Sequence, residues 1–244
     1  RPPVANIIAT LTENPDTMTI SAGNPDLKPY HSDNFELSVE KYFEPVGMFS
    51  AGVFLKEITD YFRTLVTPLG PGGIDGSGLY ANYQLSQSVN VGDARIRGFE
   101  LSYQQQLTFL PGVLRGLGVF ANYSYQQAQG SFGTVNFERQ LANLPPRNAN
   151  GGISYRGYGF QVNFLANWTA EKYKGNVGTI PVYNEARTLL DLKIQYSVNR
   201  NYDLFLDISN LTDEAPRTDV SKNGLYFFRT NQGVSFVAGV KALF

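Results

Sequence analysis

The chain carries one histidine, His31, and no cysteine. Thiolate metal sites, disulfides and thiol nucleophiles are therefore absent, and zinc or triad chemistry lacks the partners it needs. His31 stands just before an extended segment and reads as a surface residue. The acids are spaced more regularly. Glu36, Glu40, Glu100, Asp191, Asp203 and Asp207 each alternate with apolar neighbours. Paired carboxylates can do acid–base work, but acids on one side of extended segments also suit a wet interior, where Lys193 or arginines partner them, and this reading is preferred. Gly70–Gly78 is glycine-rich like a phosphate loop, yet no Lys-Ser/Thr follows it and no helix begins there. It reads as a flexible loop. Asn122-Tyr-Ser, Asn167-Trp-Thr and Asn210-Leu-Thr fit the glycosylation sequon but fall within extended segments, so they are taken as coincidence. No catalytic, cofactor or metal-binding residue is assigned, and no enzyme activity is expected.

The elements that carry these residues are strands. Period-two alternation recurs along the sequence and helical periodicity is nearly absent. Leu117, Val119, Ala121, Tyr123 and Tyr125 share one face, with Gly118, Asn122, Ser124 and Gln126 opposite. The same holds for Phe160, Val162, Phe164, Ala166 and Trp168, for Leu190, Leu192, Ile194 and Tyr196, and for Phe236, Ala238, Val240, Ala242 and Phe244. Nine strands are expected near 31–43, 48–64, 80–109, 116–129, 138–156, 159–170, 183–197, 202–211 and 225–244. Connections alternate strictly between short ones and long ones, the long ones being 65–79, 130–137, 171–182 and 212–224.

Composition agrees. Charged residues make up 17% of the 244, well under the usual quarter, while Tyr (15) and Phe (17) are abundant and suit strands. A net charge of -1 gives no basic field for nucleic acid. Uninterrupted apolar runs are far shorter than the roughly 20 residues of a membrane helix. Alternating strands, short turns at one end and long loops at the other describe a transmembrane β-barrel. Aromatic residues fall into two groups, as at the two interfaces of a bilayer. Tyr42, Phe43, Phe109, Tyr155, Tyr158, Phe160, Tyr196, Tyr202 and Phe244 lie beside the short turns. Tyr61, Phe62, Tyr80, Tyr83, Tyr123, Tyr125, Trp168, Tyr173, Tyr226 and Phe227 lie near the long loops. Arg95 and Arg97 share the parity of Phe99, which turns them outward toward lipopolysaccharide phosphates; a bulge would turn them inward instead. Both placements stay open.

Four segments resemble the C-terminal barrel region of TonB-dependent outer-membrane receptors. They are Gly23-Asn-Pro-Asp-Leu-Lys-Pro29 followed by Ser32–Leu37, then Asn90–Glu100, then Asp207-Ile-Ser-Asn-Leu-Thr-Asp-Glu214, and the alternating C-terminus on Phe244. Their order and spacing match the family along essentially the whole chain. The resemblance implies an all-β, antiparallel transmembrane segment of about nine strands within a 22-stranded barrel whose lumen holds a plug. It implies active uptake of a bulky, scarce ligand (siderophore-iron, cobalamin, haem or glycan) in the cell outer membrane. Implied partners are outer-membrane lipid and lipopolysaccharide, the TonB complex acting through an N-terminal part, and the barrel assembly machinery, which would read the strand ending in Phe244. No nucleic-acid partner is implied. Residues 1–30 are expected to be an outer loop and 31–244 the barrel segment. Ligand contacts would fall on 1–30 and the four long loops, with no individual ligand residue named.

Plug and TonB box do not occur in this sequence, which opens on Arg1-Pro2-Pro3 as a segment cut from a longer protein would. Nine hairpin-linked strands also cannot close antiparallel, because the first and last run the same way. Two other functions are weighed: another outer-membrane barrel (porin or adhesin translocator), and a soluble β-sandwich that binds carbohydrate. The sandwich would pack Phe35, Leu101, Phe164, Leu192 and Val240 into one core.

Overall fold

A computed structural model describes residues 3–8, 10–132, 135–140, 142–177, 180–221, 226–230 and 233–242. Strands β1 (Leu11–Asn14) and β2 (Thr19–Ala22) precede β3 (His31–Phe43), β4 (Gly47–Pro68), β5 (Gln84–Gln106) and β6 (Leu117–Phe132). Next come β7 (Val135–Gln140), β8 (Arg147–Gly157), β9 (Phe160–Thr169), β10 (Lys172–Val177) and β11 (Ile180–Asn184). The series ends with β12 (Arg187–Ser197), β13 (Tyr202–Ser209), β14 (Arg217–Ser221), β15 (Tyr226–Arg229) and β16 (Ser235–Ala242). Among the described residues one short helix, α1 (Val4–Ile7), and two 3₁₀ turns accompany them. No described helix is long and apolar enough to cross a membrane.

The chain divides into two compact units. One comprises residues 35–55, 97–128 and 140–244. Its strands follow the order β3-β4-β5-β6-β8-β9-β12-β13-β16, which keeps to chain order and leaves out β7, β10, β11, β14 and β15. Among the described residues β3 pairs only with β4, and β16 only with β13, so this sheet is open at both edges. The register sorts side chains by face, because directly opposed residues point the same way. Val119, Ile153, Phe164, Leu192, Ile208 and Phe236 are successive partners across six strands and form an unbroken apolar row. On the other face Ser154, Asn163, Lys193 and Asp207 are successive partners. Strands β8, β9 and β12 have 11, 10 and 11 residues, the length a tilted strand needs to cross hydrocarbon.

Turn chemistry fits the short connections. Between β8 and β9, Tyr158 and Gly159 both take positive φ, +53° and +80°, the two-residue turn whose twist matches a hairpin. Between β12 and β13, the Asn199 side chain accepts from the Asn201 and Tyr202 amides. Gly98 permits a close approach, since a Cβ there would meet the Tyr125 carbonyl oxygen.

Two expected strands are each interrupted. The one placed at 138–156 is β7 and β8, parted at Pro145-Pro146, where neither residue offers an N–H to a ladder. The one placed at 225–244 is β15 and β16, parted near Gly233, whose φ is +73°. Phe244 lies outside the described residues.

The other unit comprises residues 1–34, 56–96 and 129–139. Within the span expected as an outer loop, β1 and β2 form an antiparallel hairpin. Strand β2 then runs parallel to Gln84–Gln87 of β5, an exception to the antiparallel pattern. Side-chain amides fix this pairing. Asn24 Nδ2 donates to the Ser88 carbonyl (3.0 Å), Gln87 Nε2 to the Gly23 carbonyl (2.9 Å), and Asn90 accepts from the Lys28 amide while donating to the Lys28 carbonyl. Ile20 is fully buried, with Leu27 and Ala94 also buried, as a small core. The Gly23–Pro29 segment is thus strapped to β5 rather than loose.

Candidate functional site

Site geometry in the strand-ordered unit begins with its two faces. The polar face holds a concavity of 270 Å³ lined by Ser50, Glu100, Ser102, Asn122, Ser124 and Asn150 among others. Ser102 Oγ donates to Asn122 Oδ1 (2.6 Å), and Asn122 Nδ2 donates to Asn150 Oδ1 (2.8 Å). The opposite face holds an apolar groove with Phe49, Leu101, Tyr123, Ala149, Ala166 and Trp168. Large apolar side chains on this side lie bare: Phe35 is 60% exposed and Val240 62%. A soluble sandwich would have buried them, because water does not tolerate so continuous an apolar surface. Lipid does.

Three of the acids singled out in the sequence have neighbours that fit a structural part on the polar face. Asp191 Oδ1 accepts from the Asn210 amide (2.9 Å), Asp203 Oδ2 accepts from Gln195 Nε2 (3.0 Å), and Asp207 stands opposite Lys193. Among the described residues no three His, Cys, Asp or Glu side chains gather as a metal site. Arg97 donates through Nε and Nη2 to Gln127 Oε1 (3.0 and 2.8 Å). Its neighbour two residues on, Phe99, packs its ring against Tyr123 and Tyr125. Arg97 therefore takes the outward placement, with no inward bulge. In the other unit, Arg95 pairs with Glu57 across an exposed surface.

Of the short-turn aromatics, Phe109, Tyr158, Phe160, Tyr196 and Tyr202 are exposed, with Phe160 and Tyr196 rings 4.6 Å apart, whereas Phe43 and Tyr155 are half-buried and the Tyr42 hydroxyl donates to the Glu40 carboxylate. The long-loop group divides. Tyr123, Tyr125 and Trp168 belong to the wall, whereas Tyr173 lies in the loop sheet, its ring edge-to-face with that of Tyr183.

Two long loops are folded. Residues expected as loops 171–182 and 212–224 supply β10, most of β11 and β14, which with β15 from the start of the expected strand 225–244 form their own four-stranded sheet in the order β10-β11-β14-β15. Strands β11 and β14 join the two hairpins through Val182 opposite Ser221 and Tyr183 opposite Val220. Asn210 clasps the base of this sheet. It adopts φ +58°; its Nδ2 donates to the Glu214 and Gly233 carbonyls (3.1 and 3.0 Å), and its Oδ1 accepts from the Glu214 amide (2.8 Å). Among the described residues three buried side-chain atoms have no hydrogen-bond partner: Asn184 Oδ1, Arg187 Nε and Ser221 Oγ. Sequence reasoning missed the β11–β14 pairing that buries Ser221, because β14 reaches β11 from far along the chain. In the other unit, the glycine-rich loop is ordered at Asp75, whose carboxylate accepts from the Ser77 hydroxyl and amide (2.5 and 2.9 Å). Those bonds hold the Asp75 carboxyl below its usual range.

The family described as TonB dependent receptor-like, beta-barrel matches residues 1–211. The chain belongs to this family. Its members are transport receptors, and the protein is an outer-membrane β-barrel protein. Among related sequences, a probable hemoglobin and hemoglobin-haptoglobin-binding protein 4 of Haemophilus influenzae is 22% identical, covering 100% of this chain and 25% of that protein. The vitamin B12 transporter BtuB of Vibrio vulnificus is 25% identical, covering 85% of this chain and 29% of that protein. Among solved structures, the ferric enterobactin receptor of Pseudomonas aeruginosa superposes with a TM-score of 0.68 at 19% identity, over 92% of this chain and 33% of that one. The family member described here thus spans between a quarter and a third of these relatives. Its open sheet is that of a partial barrel.

Proposed function

We propose that this family member is the C-terminal barrel portion of a receptor that takes up a bulky, scarce ligand across the outer membrane. The observation that carries the reading is a wall with one continuous apolar face, one hydrogen-bonded polar face, and outer loops folded into a sheet at its rim. A general pore does not require loops tied into one body; a receptor that holds its ligand does. The cargo is one of siderophore-iron, cobalamin, haem or glycan, and the relatives named above span iron-siderophore, haemoglobin and vitamin B12 ligands. Uptake is driven by the TonB complex acting on an N-terminal part of the whole receptor. The chain contributes wall, turns and loops, and no catalysis. Residues 1–30 serve as an outer segment leading into the barrel at 31–244.

Outer-membrane lipid covers the apolar face, with Arg97 placed for lipopolysaccharide phosphates. The last strand, β16 with the residues through Phe244, is the segment that the barrel assembly machinery reads. The test is deletion of the gene for the full-length receptor, with growth on limiting ferric chelates, haem or vitamin B12 as readout. Loss of growth on one source, restored by the wild-type gene and abolished by a protonophore, is expected. Unchanged uptake of every source would refute the assignment.

A further inference from the structure

Turns that face water are built mostly from Gly, Pro, Asn, Asp and Ser, and a bare apolar side chain gains nothing there. The connection between β5 and β6, residues 107–116, instead holds Leu107, Phe109, Leu110, Val113 and Leu114, and no acid. Phe109 is 62% exposed, and Val113 and Leu114 are exposed as well. Their backbone is fixed. Leu107 N donates to the Leu117 carbonyl (2.8 Å) and Leu110 N to the Leu107 carbonyl (3.0 Å), and a 3₁₀ turn spans Gly112–Gly116. Gly116 lies so close to the Arg156 carbonyl that a Cβ would collide with it, which seats the connection against the end of β8. On the other side Gln106 N donates to the Val46 carbonyl (2.9 Å), which ties in the β3–β4 turn. Val46 is exposed, as are Tyr158 and Val198 in the remaining two turns. All four short turns therefore carry an exposed apolar side chain.

Two features point to what covers this rim. The first is continuity with the apolar wall, whose last outward rows reach the turns: Leu117 stands opposite Tyr155, Phe160 opposite Tyr196, and Tyr196 opposite Leu204. Apolar tips beyond those rows carry the same surface past the strand ends. The second is charge. Within the four turns the bases are Arg115 and Arg200 and the acid is Glu44, all exposed. Lys41, exposed on β3, has the parity of Val39 and Phe43 on the apolar side. Short turns of an outer-membrane barrel lie at the periplasmic leaflet, where apolar side chains sink into the headgroup boundary and bases are drawn to anionic lipid. We propose that the short-turn rim, led by Phe109, Val113 and Leu114, lies within the headgroup layer of that leaflet, and that Arg115 binds the phosphate of an anionic phospholipid. This goes beyond the uptake function and rests only on the outer-membrane placement.

The test uses the full-length receptor with Val113→Cys, any cysteine outside this chain being replaced by serine, since the chain itself has none. A nitroxide on that thiol is read in bilayers of phosphatidylethanolamine and phosphatidylglycerol. Its collisions with oxygen, which concentrates in lipid, are compared with those of a nickel chelate, which stays in water. A label at Ser77→Cys, in the exposed glycine-rich loop, supplies the aqueous reference. The Val113 label should meet the nickel chelate several-fold less often than the Ser77 label. Native mass spectrometry should show wild type holding phosphatidylglycerol more tightly than phosphatidylethanolamine. Arg115→Gln should cut that preference about fivefold, the worth of one arginine at an anionic surface, and Arg115→Lys should keep most of it. Three results overturn the proposal. A Val113 label as open to the nickel chelate as the Ser77 label places the rim in water. A lipid preference in Arg115→Gln within about twofold of wild type removes the phosphate from Arg115. Shielding of Val113 that appears only when soluble periplasmic proteins are added makes the rim a protein-docking surface instead.

Discussion

Replacing Asn210 by alanine removes three side-chain hydrogen bonds from a buried position, two donated to the Glu214 and Gly233 carbonyls and one accepted from the Glu214 amide. Each such bond is worth about 1 kcal/mol net. Alanine also inherits a φ of +58°, which costs an L-residue without a local side-chain acceptor about 1 kcal/mol more. The expected loss is therefore about 4 kcal/mol. Asn210→Gly loses the same bonds but tolerates the backbone, so it should recover about 1 kcal/mol of that. Urea unfolding of the full-length receptor in detergent micelles measures both. Because the clasp closes an outer hairpin, part of the loss will register as local opening, and hydrogen exchange at the Glu214 amide reads this separately. A cost under about 1 kcal/mol for Asn210→Ala by both measures, or no advantage of glycine over alanine, would refute the clasp and its backbone contribution in turn.

Two further expectations concern the wall and a loop. Phe164→Arg puts a charge in the middle of the apolar row and should cost about 2–4 kcal/mol of folding into lipid vesicles. Asn167→Arg, three residues along on the polar face, should be nearly neutral; equal effects on a gel assay of folded barrel would overturn the assignment of faces. Asp75 has a folded pKa below its unfolded value. Its contribution is thus complete above the unfolded value and disappears as pH falls through the folded one. Ser77→Ala should raise the Asp75 midpoint in a carboxyl NMR titration, and an unmoved midpoint contradicts the attribution to Ser77.

Wall strands were legible in the sequence because one face must be apolar and the other wet, and a period of two records that demand residue by residue. Leu192 and Lys193 declare their faces without any knowledge of partners. The loop sheet declared nothing. Strands β10 and β11 contain Gly175 and Pro181, which break the alternation, and their partner β14 is brought in from another loop. Asn210 stood out as part of a motif, but its action depends on Gly233, 23 residues away. Arg97 could not be placed by parity while a bulge remained open; contact with Gln127 decides it. The parallel pairing of β2 with β5 was invisible for the same reason as the pairing of β11 with β14. Both arise from long-range register, which local pattern does not encode.

Trp168 is the sole tryptophan of the chain, and it lies in the apolar groove, opposite Ala149 and Thr188. Seen optically, the lipid-facing wall carries a single indole toward its loop end. A receptor whose remaining tryptophans are replaced would report its own insertion, with emission shifting to the blue as this strand leaves water. Quenchers attached at graded depths along lipid chains would then read how far the loop end of β9 sits from the bilayer centre.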